Sequence, residues 1–316
     1  MCVTGHSTGG TYKMRLKSIL MISLGFVLAA TAANADPLVY IVNGSQQFGT
    51  VDLATGAFQQ VGPAQPEAGS FGLATAPNGS LVTFAYSSNL YSINPATGVP
   101  TLVGPTGLDD CATVSSPCGP TSASTLGNFA GKIYATDFQN SLYSVNSVTG
   151  AATLIGPTGI PGIPFVPGSF NPDGTINFYD EAIFGSGGNL YVIFDAFVFD
   201  FNTLSIVGRV VNPALYQIDP LTGVATLVGP TDLGIGAVTG VNGVYYAFND
   251  LANQITSLNL ANGNTSFVSN FEPAAGVIQG AVPVPTPEPS SLALFGTGLL
   301  GLGAFVRSKL VRIRDK

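Results

Sequence analysis

The residues of this chain best suited to chemistry are two adjacent carboxylates, Asp180 and Glu181. Hydrolysis of a glycosidic bond needs a proton donor and a base or nucleophile that face each other across the sugar. In the strand arrangement predicted below, these two are the only acids at the start of a strand that lines the centre of the molecule. The opposed acid is missing, so we expect no enzyme and keep Asp180 and Glu181 as the catalytic residues of an alternative, glycosidase-like hypothesis.

The only histidine is His6, which precedes a segment that we expect to be removed on export. The mature chain then has no imidazole to act as a base or a ligand. This excludes Ser-His and Cys-His nucleophilic catalysis and any histidine-ligated metal site.

Two cysteines, Cys111 and Cys118, would remain after export. In an oxidising compartment they can close a short loop between the second and third repeat units. We predict a structural disulfide there, because no flanking base favours a redox role.

Oxygen ligands for Ca²⁺ are available at residues 171–174, which include Asp173, and at Asp109 and Asp110. Neither group has the spaced run of oxygens found in an EF-hand loop. Turns stabilised by Asx side chains are the commoner explanation, so we predict no cofactor, with Ca²⁺ as the alternative.

A repeated pattern organises the middle of the chain. Three near-copies occupy residues 89–105, 141–157 and 214–230, and weaker copies are centred on Gly56 and Gly263. Each copy alternates apolar and polar residues on both sides of a turn, which is typical of a β-hairpin.

The turn chemistry of the repeat is specific. Asn94 can accept hydrogen bonds from the backbone ahead of it, and Gly98 can adopt a positive φ. The Gly104-Pro105 pair that follows ends the second strand, because proline cannot donate a ladder hydrogen bond.

Two further strand-like runs precede each hairpin, so each unit is predicted to contain four antiparallel strands. The spacing of the turn glycines matches a propeller blade of about 40–50 residues, once an insertion at residues 197–212 is allowed. Residues 275–281 resemble residues 236–240, so the last strand can complete the first blade and close the ring. We predict an all-β, five-bladed β-propeller over residues 36–282, with a six-bladed ring or an open β-repeat array as alternatives.

The charge is unevenly distributed. Residues 36–282 contain two basic residues, Lys132 and Arg209, and fifteen carboxylates, which give a net charge of −13. A body this acidic repels nucleic acid, so we exclude a nucleic-acid partner.

The N-terminal region has the pattern of a secretory signal peptide. Arg15 and Lys17 precede an apolar run over residues 19–33, and cleavage by signal peptidase after Ala35 would leave Asp36 as the mature N-terminus. An N-terminal membrane anchor is the alternative, but the run is short for spanning a bilayer. Residues 1–13 are consistent with a start codon assigned too early.

The C-terminal region has three parts in a fixed order. A proline-rich spacer over residues 283–289 is followed by an apolar, glycine-rich stretch up to Val306 and then by a basic tail. This order predicts a stiff spacer and a short transmembrane helix whose tail stays in the cytoplasm.

The tripeptide Pro287, Glu288 and Pro289, with the apolar stretch and basic tail behind it, resembles the PEP-CTERM sorting domain. The resemblance covers about the last 30 residues. It implies that exosortase, a membrane enzyme of Gram-negative bacteria that make exopolysaccharide, cleaves a membrane-anchored precursor near Glu288. The body would then reach the cell surface or the extracellular matrix.

We therefore expect a non-enzymatic surface or matrix protein that binds glycan or protein, such as exopolysaccharide or a surface protein. The aromatic residues Phe197, Phe199 and Phe201 in the insertion need not belong to the repeat. If exposed, they are the best candidate for a partner-binding patch.

Overall fold

The computed structural model describes residues 37–63, 70–110, 121–161, 173, 175–200, 202–203 and 205–285. The described residues form five antiparallel sheets of four strands each. This confirms the predicted all-β, five-bladed β-propeller.

The strands follow one another along the chain, blade after blade. Blade 1 contains β1 (Leu38–Asn43), β2 (Gln47–Asp52) and β3 (Phe58–Pro63); blade 2 contains β4 (Ser70–Thr75), β5 (Leu81–Ala85), β6 (Asn89–Ile93) and β7 (Pro100–Pro105); blade 3 contains β8 (Ala123–Phe129), β9 (Lys132–Asp137), β10 (Ser141–Val145) and β11 (Ala152–Pro157). Blade 4 contains β12 (Thr175–Ser186), β13 (Asn189–Asp200), β14 (Ser205–Ile218) and β15 (Ala225–Pro230), and blade 5 contains β16 (Ile235–Val241), β17 (Val244–Asn249), β18 (Gln254–Leu258) and β19 (Thr265–Asn270).

The last strand, β20 (Ile278–Pro283), closes the ring. It pairs antiparallel with β1, with Ile41 opposite Ala281, and becomes the innermost strand of blade 1. The inner strands β4, β8, β12, β16 and β20 contact one another around the centre. A short 3-10 helix at Pro273–Ala275 precedes β20, so the closing strand starts three residues later than the sequence pattern predicted.

The hydrophobic core is divided into five clusters, one at each interface between neighbouring blades. Phe84 of blade 2 packs with Leu126 of blade 3, and Ile41 of blade 1 packs with Phe248 of blade 5. Each sheet therefore buries both of its faces against its neighbours, and the blades stabilise one another as they would in a sandwich.

The predicted hairpin turns form as Asx turns. Oδ1 of Asn94 accepts a hydrogen bond from the backbone N–H of Ala96 at 2.9 Å, and Asn146 and Asp219 accept equivalent bonds. Gly98 has a φ of 68°, which confirms the need for glycine there.

Each outermost strand carries a β-bulge at the same place. In blade 2 the register shifts between Leu90 and Tyr91, and the other four blades repeat this shift opposite their outer strands. A bulge twists an exposed edge and disfavours pairing with another chain.

Blade 4 differs from the others in length. The insertion predicted at residues 197–212 lengthens the β13–β14 hairpin, and β12 is also extended at its start. The result is a three-stranded extension, which we call the arm: residues 175–180 of β12, 196–200 of β13 and 205–212 of β14.

No helix in the described part of the chain is long and apolar enough to cross a membrane. The C-terminal helix predicted behind Pro289 lies outside the described residues, as do Pro287 and Glu288.

Candidate functional site

Asp180 and Glu181 lie on β12 at the point where the arm joins the ring of inner strands. Adjacent residues of a strand project to opposite faces of the sheet. The structure accordingly places these two carboxyl groups in different interfaces, and they do not form one acid pair.

Glu181 lies between blades 4 and 3 and is only 6% exposed. Its carboxyl group accepts hydrogen bonds from the hydroxyl of Ser124 on β8 at 2.5 Å and from the hydroxyl of Thr136 on β9 at 2.7 Å. Burial raises the pKa of Glu181 to about 7, although both hydroxyls act in the opposite direction. Glu181 therefore links two blades across their interface.

Asp180 faces a second carboxylate that the sequence reasoning missed. The β12–β13 hairpin places Asp180 directly opposite Asp195, so both side chains project from the same face of the sheet. The signal was present in the Gly187-Gly188 pair, since a tight two-glycine turn sets the cross-strand partners of every residue around it.

Asp195 is completely buried. Its Oδ2 accepts a hydrogen bond from the backbone N–H of Gly234, which precedes β16 of blade 5, at 2.8 Å. Its Oδ1 accepts no hydrogen bond from the described residues. Burial, together with the charge of Asp180, raises the pKa of Asp195 to about 8, and burial raises the pKa of Asp180 to about 6.

A third carboxylate, Asp250, lies at the next interface. Its Oδ1 accepts a hydrogen bond from the backbone N–H of Ile278, the first residue of β20, at 2.9 Å. Its Oδ2 accepts none from the described residues, and burial raises its pKa well above the ordinary value. Asp195 and Asp250 thus each link the blade that carries them to the start of an inner strand in the next blade.

The central channel is too narrow for a sugar. The cavity between the inner strands has a volume of ≈ 10 Å³, about enough for one water molecule and far below the roughly 300 Å³ at which small-molecule pockets begin. Its walls are the inner strands at Gly72, Thr125, Ala182, Gly236 and Gly280, among other residues that carry no carboxylate. The channel therefore does not present Asp180 or Glu181 to a substrate.

The oxygen groups considered for Ca²⁺ form local hydrogen bonds. Asp173 Oδ1 accepts from the backbone and hydroxyl of Thr175, and Asp109 Oδ2 accepts from the hydroxyl of Thr121 at 2.6 Å. Within the described ranges, no group of three or more acidic, cysteine or histidine side chains is arranged to hold a metal ion.

Two other predicted features lie outside the described residues. These are the disulfide between Cys111 and Cys118 and the cleavage point between Ala35 and Asp36. They remain predictions.

The phenylalanines of the arm differ in how far they are exposed to solvent. Phe197 is 4% exposed and Phe199 is half-buried, while Phe201 lies outside the described residues. Phe178 on β12 stacks on Phe197 with ring centroids 5.8 Å apart and is itself 37% exposed. The condition of exposure on which the partner-binding patch depended is therefore not met at Phe197, because the neighbouring strand covers that ring.

Two aliphatic side chains of β14 extend the exposed apolar surface of the arm. Val207 is 54% exposed and Val210 is 37% exposed. We call these two residues of β14 and Phe178, which lies on the other side of β13, the arm patch.

The closed ring of five four-stranded sheets defines this protein as a five-bladed β-propeller. Residues 285–308 match the family model of the PEP-CTERM protein-sorting motif, which confirms the resemblance inferred from Pro287, Glu288 and Pro289. The motif implies export, a membrane-anchored precursor and processing by exosortase.

Similarity to solved structures is distant. A chain of the nidogen/laminin complex aligns with a TM-score of 0.45 at 12% identity, covering 79% of this chain and 98% of that one. A Bacteroides thetaiotaomicron protein of unknown function aligns with a TM-score of 0.43 at 16% identity, covering 75% and 56% of the two chains. The calcium-binding protein regucalcin from Agrobacterium tumefaciens aligns with a TM-score of 0.36 at 14% identity, covering 64% and 58%. These similarities do not indicate a function, and no curated protein matches the sequence.

Proposed function

We propose that this protein is a non-catalytic binding module of the cell surface or extracellular matrix of a Gram-negative bacterium. The propeller is exported, anchored for a time by its C-terminal segment, and released or transferred by exosortase. It then binds polysaccharide through the arm of blade 4. The observation that carries this proposal is the arm patch, since the arm is the one extension of the repeat in the described chain.

The arm patch combines apolar surface with polar groups. Phe178 and the two valines supply exposed apolar area, and the half-buried Asp180 lies two residues from Phe178 on the same face. Binding sites of this kind pair an apolar surface with a few polar groups that set orientation. An apolar patch on a protein that is otherwise acidic favours a ligand-contacting surface.

A glycan array with the purified mature protein tests the proposal. Substituting Phe178→Ala and Val207→Ser should weaken binding of any captured glycan by about tenfold each, equivalent to about 1.4 kcal/mol. The matched control is Leu221→Ser, which removes a side chain that is 84% exposed in the hairpin turn of the same blade. Equal loss of binding in the control, or no glycan captured at all, would refute the arm as a polysaccharide site, and a protein partner would then be sought.

The second candidate function is a carbohydrate-active enzyme, and the opposed Asp180 and Asp195 favour it. Two carboxyl groups facing each other, one of them protonated near neutral pH, are what acid-catalysed glycoside hydrolysis requires. Complete burial of Asp195 counts against this function, because a sugar could reach the pair only if the arm opened. The test is release of reducing ends from a polysaccharide panel by the wild-type protein and by Asp180→Asn; activity that the substitution abolishes would establish the enzyme.

A further inference from the structure

Neighbouring inner strands of the propeller run in the same direction. Gly127 of β8 approaches Ile183 of β12, and two residues further along each strand Gly185 approaches Phe129. In an antiparallel sheet, successive turns lie alternately at its two ends. The turns that leave the inner strands therefore lie together at one end of the body, which we call the base. The base comprises residues 76–80, 130–131, 187–188 and 242–243.

The described body also begins and ends at the base. As the innermost strand of blade 1, β20 ends there, and Pro283 lies opposite Val39 of β1. The backbone N–H of Val284 donates a hydrogen bond to the carbonyl of Leu38 at 3.1 Å. The sorting motif begins at the next residue, Pro285, so the chain leaves the body at the base.

Charge is divided between the two ends of the inner strands. None of the described residues of the base is a carboxylate, and Lys132, which follows the turn in blade 3, is exposed. Asp52 and Asp219 lie nearer the rim, in hairpin turns whose own backbone N–H groups they accept. We call the end at which the inner strands start the acidic end. The connections that lead into these strands there carry five exposed carboxylates: Asp109, Asp110, Asp173, Asp232 and Glu272.

Nothing else in the described chain covers the turns of the base. A Cβ atom added to any of their glycines would meet no neighbouring atom within 4 Å. Two aliphatic side chains beside the turns are exposed, Val244 by 42% and Leu38 by 41%. Uncovered turns with aliphatic side chains and a lysine match the headgroup region of a bilayer, which attracts basic residues and takes up apolar ones at the acyl boundary.

We propose that the base docks on the anionic phospholipid surface of the membrane that anchors the precursor, and that the acidic end and the arm face away from it. The link over residues 285–289 spans at most roughly 18 Å when fully extended, so an anchored precursor keeps the base near the bilayer. Anionic headgroups repel carboxylates within a Debye length of about 8 Å and attract Lys132.

The docking depends on the anchor. So few contacts are weak alone, and the tether supplies the effective concentration that populates the docked orientation. The body should therefore leave the bilayer surface once the sorting motif is cleaved. This orientation holds whether or not the arm binds polysaccharide.

Fluorescence quenching on the full chain in nanodiscs tests the orientation, because the chain contains no tryptophan. A single tryptophan replaces Val244 at the base or Leu251 beyond the other end of β17, where the native side chains are 42% and 45% exposed. With spin-labelled headgroups in phosphatidylethanolamine–phosphatidylglycerol nanodiscs, Val244→Trp should be quenched and Leu251→Trp should not. If Val244→Trp fails to fold, Leu38→Trp provides the second probe of the base. Equal quenching at the two ends, or stronger quenching of Leu251→Trp, would overturn the proposal.

A charge substitution separates docking from mere proximity to the tether. Asn242 at the base and Asn253 at the acidic end are both exposed and have nearly the same φ, 53° and 52°. In the Val244→Trp background, Asn242→Asp should lower the ratio of docked to undocked orientations about fivefold, and high salt should restore it. Asn253→Asp, the matched control, should leave the ratio unchanged.

Three results of this comparison count against docking on lipid. An equal effect of the two aspartates, or no effect of Asn242→Asp, would show that charge at the base does not set the orientation. Dimers in detergent that Asn242→Asp dissociates would assign the base to a second copy of the chain instead.

Discussion

Gly104 at the end of the outer strand of blade 2 packs directly against Thr149 in the hairpin turn of blade 3. A Cβ atom on Gly104 would lie 2.2 Å from the carbonyl oxygen of Thr149. The same contact recurs between Gly156 and Thr222 and between Gly229 and Asn262. The Gly-Pro pair of one blade is therefore the surface on which the turn of the next blade rests.

Substituting Gly104→Ala should destabilise the fold by about 1–3 kcal/mol, because the added methyl group forces two blades apart. The melting temperature should fall by roughly 2–4 °C per kcal/mol. Gly208→Ala is the matched control, since its nearest neighbour would be an ordinary 3.7 Å contact with Val198. Thermal unfolding followed by circular dichroism measures both; an unchanged melting temperature for Gly104→Ala would show that the blades can separate without cost.

Stability should decrease as the pH rises from about 5 to 8. The pKa values of Asp180, Glu181 and Asp195 are raised in the fold to about 6, 7 and 8. A carboxyl group whose pKa is higher in the folded state than in the unfolded chain stabilises the fold fully at a pH below its unfolded-state pKa. This stabilisation is lost as the pH rises through its folded-state pKa. Melting temperatures measured between pH 4.5 and 9 should therefore be highest at the acid end.

The substitution Glu181→Gln isolates the contribution of Glu181 to this dependence of melting temperature on pH. The substituted amide can still pair with the hydroxyls of Ser124 and Thr136 but cannot ionise, so the loss of stability near pH 7 should become smaller. Asp219→Asn is the control, because that exposed carboxyl has a lowered pKa and should not affect the slope. A melting temperature that rises towards pH 8 in the wild type would contradict the prediction.

Because β20 closes the ring, the effect of a C-terminal truncation on stability should depend on whether it removes this strand. Ending the mature chain after Pro285 keeps β20 and the hydrogen bond from Val284 N–H to the carbonyl of Leu38, so the melting temperature should not change. Ending it after Glu272 removes the inner strand of blade 1, and the ring should fail to unfold cooperatively. A cooperative transition in the shorter chain would indicate that the blades fold independently of closure.

The sorting motif predicts a processing defect for Glu288→Ala. The precursor should accumulate in the membrane fraction, while wild-type protein is processed and leaves it. Immunoblotting of fractionated cells provides the measurement, with Glu272→Ala in the exposed segment before β20 as a control of the same chemistry. Identical size and location of the Glu288→Ala and wild-type proteins would contradict exosortase processing.

Cys111 and Cys118 are predicted to form a disulfide in the exported protein. Non-reducing peptide mapping should find the two cysteines in one linked fragment. Chain entropy for a loop of about eight residues predicts a loss of about 2.5 kcal/mol in the Cys111→Ser, Cys118→Ser double variant. Two free thiols in protein isolated from the cell exterior would disprove the bridge.

The blade count could be predicted because its signals are local. Each hairpin repeats an Asx residue and a turn glycine, and four of the five add a Gly-Pro ending. Hydrogen bonds within a few residues decide the conformation of these turns. The closing strand was also predictable, since residues 275–281 repeat the pattern of an inner strand whose place in blade 1 was empty.

The reason for glycine at position 104 could not be predicted in the same way. Its sequence context explains where the strand ends, but the close approach involves Thr149, which is 45 residues away along the chain and belongs to another blade. A contact of this kind exists only once neighbouring blades have docked.

The candidate site shows the same division between local and tertiary information. The sequence by itself determined the sorting motif, the repeat and the presence of acids at the start of blade 4, because each depends on residue types in a short stretch. Only the tertiary structure separated Glu181 from Asp180, placed Asp180 opposite Asp195, and buried Asp195 against Gly234. The reason is physical: the register of a hairpin and the docking of two blades set the surroundings of a carboxyl group, and those surroundings decide whether it keeps its proton.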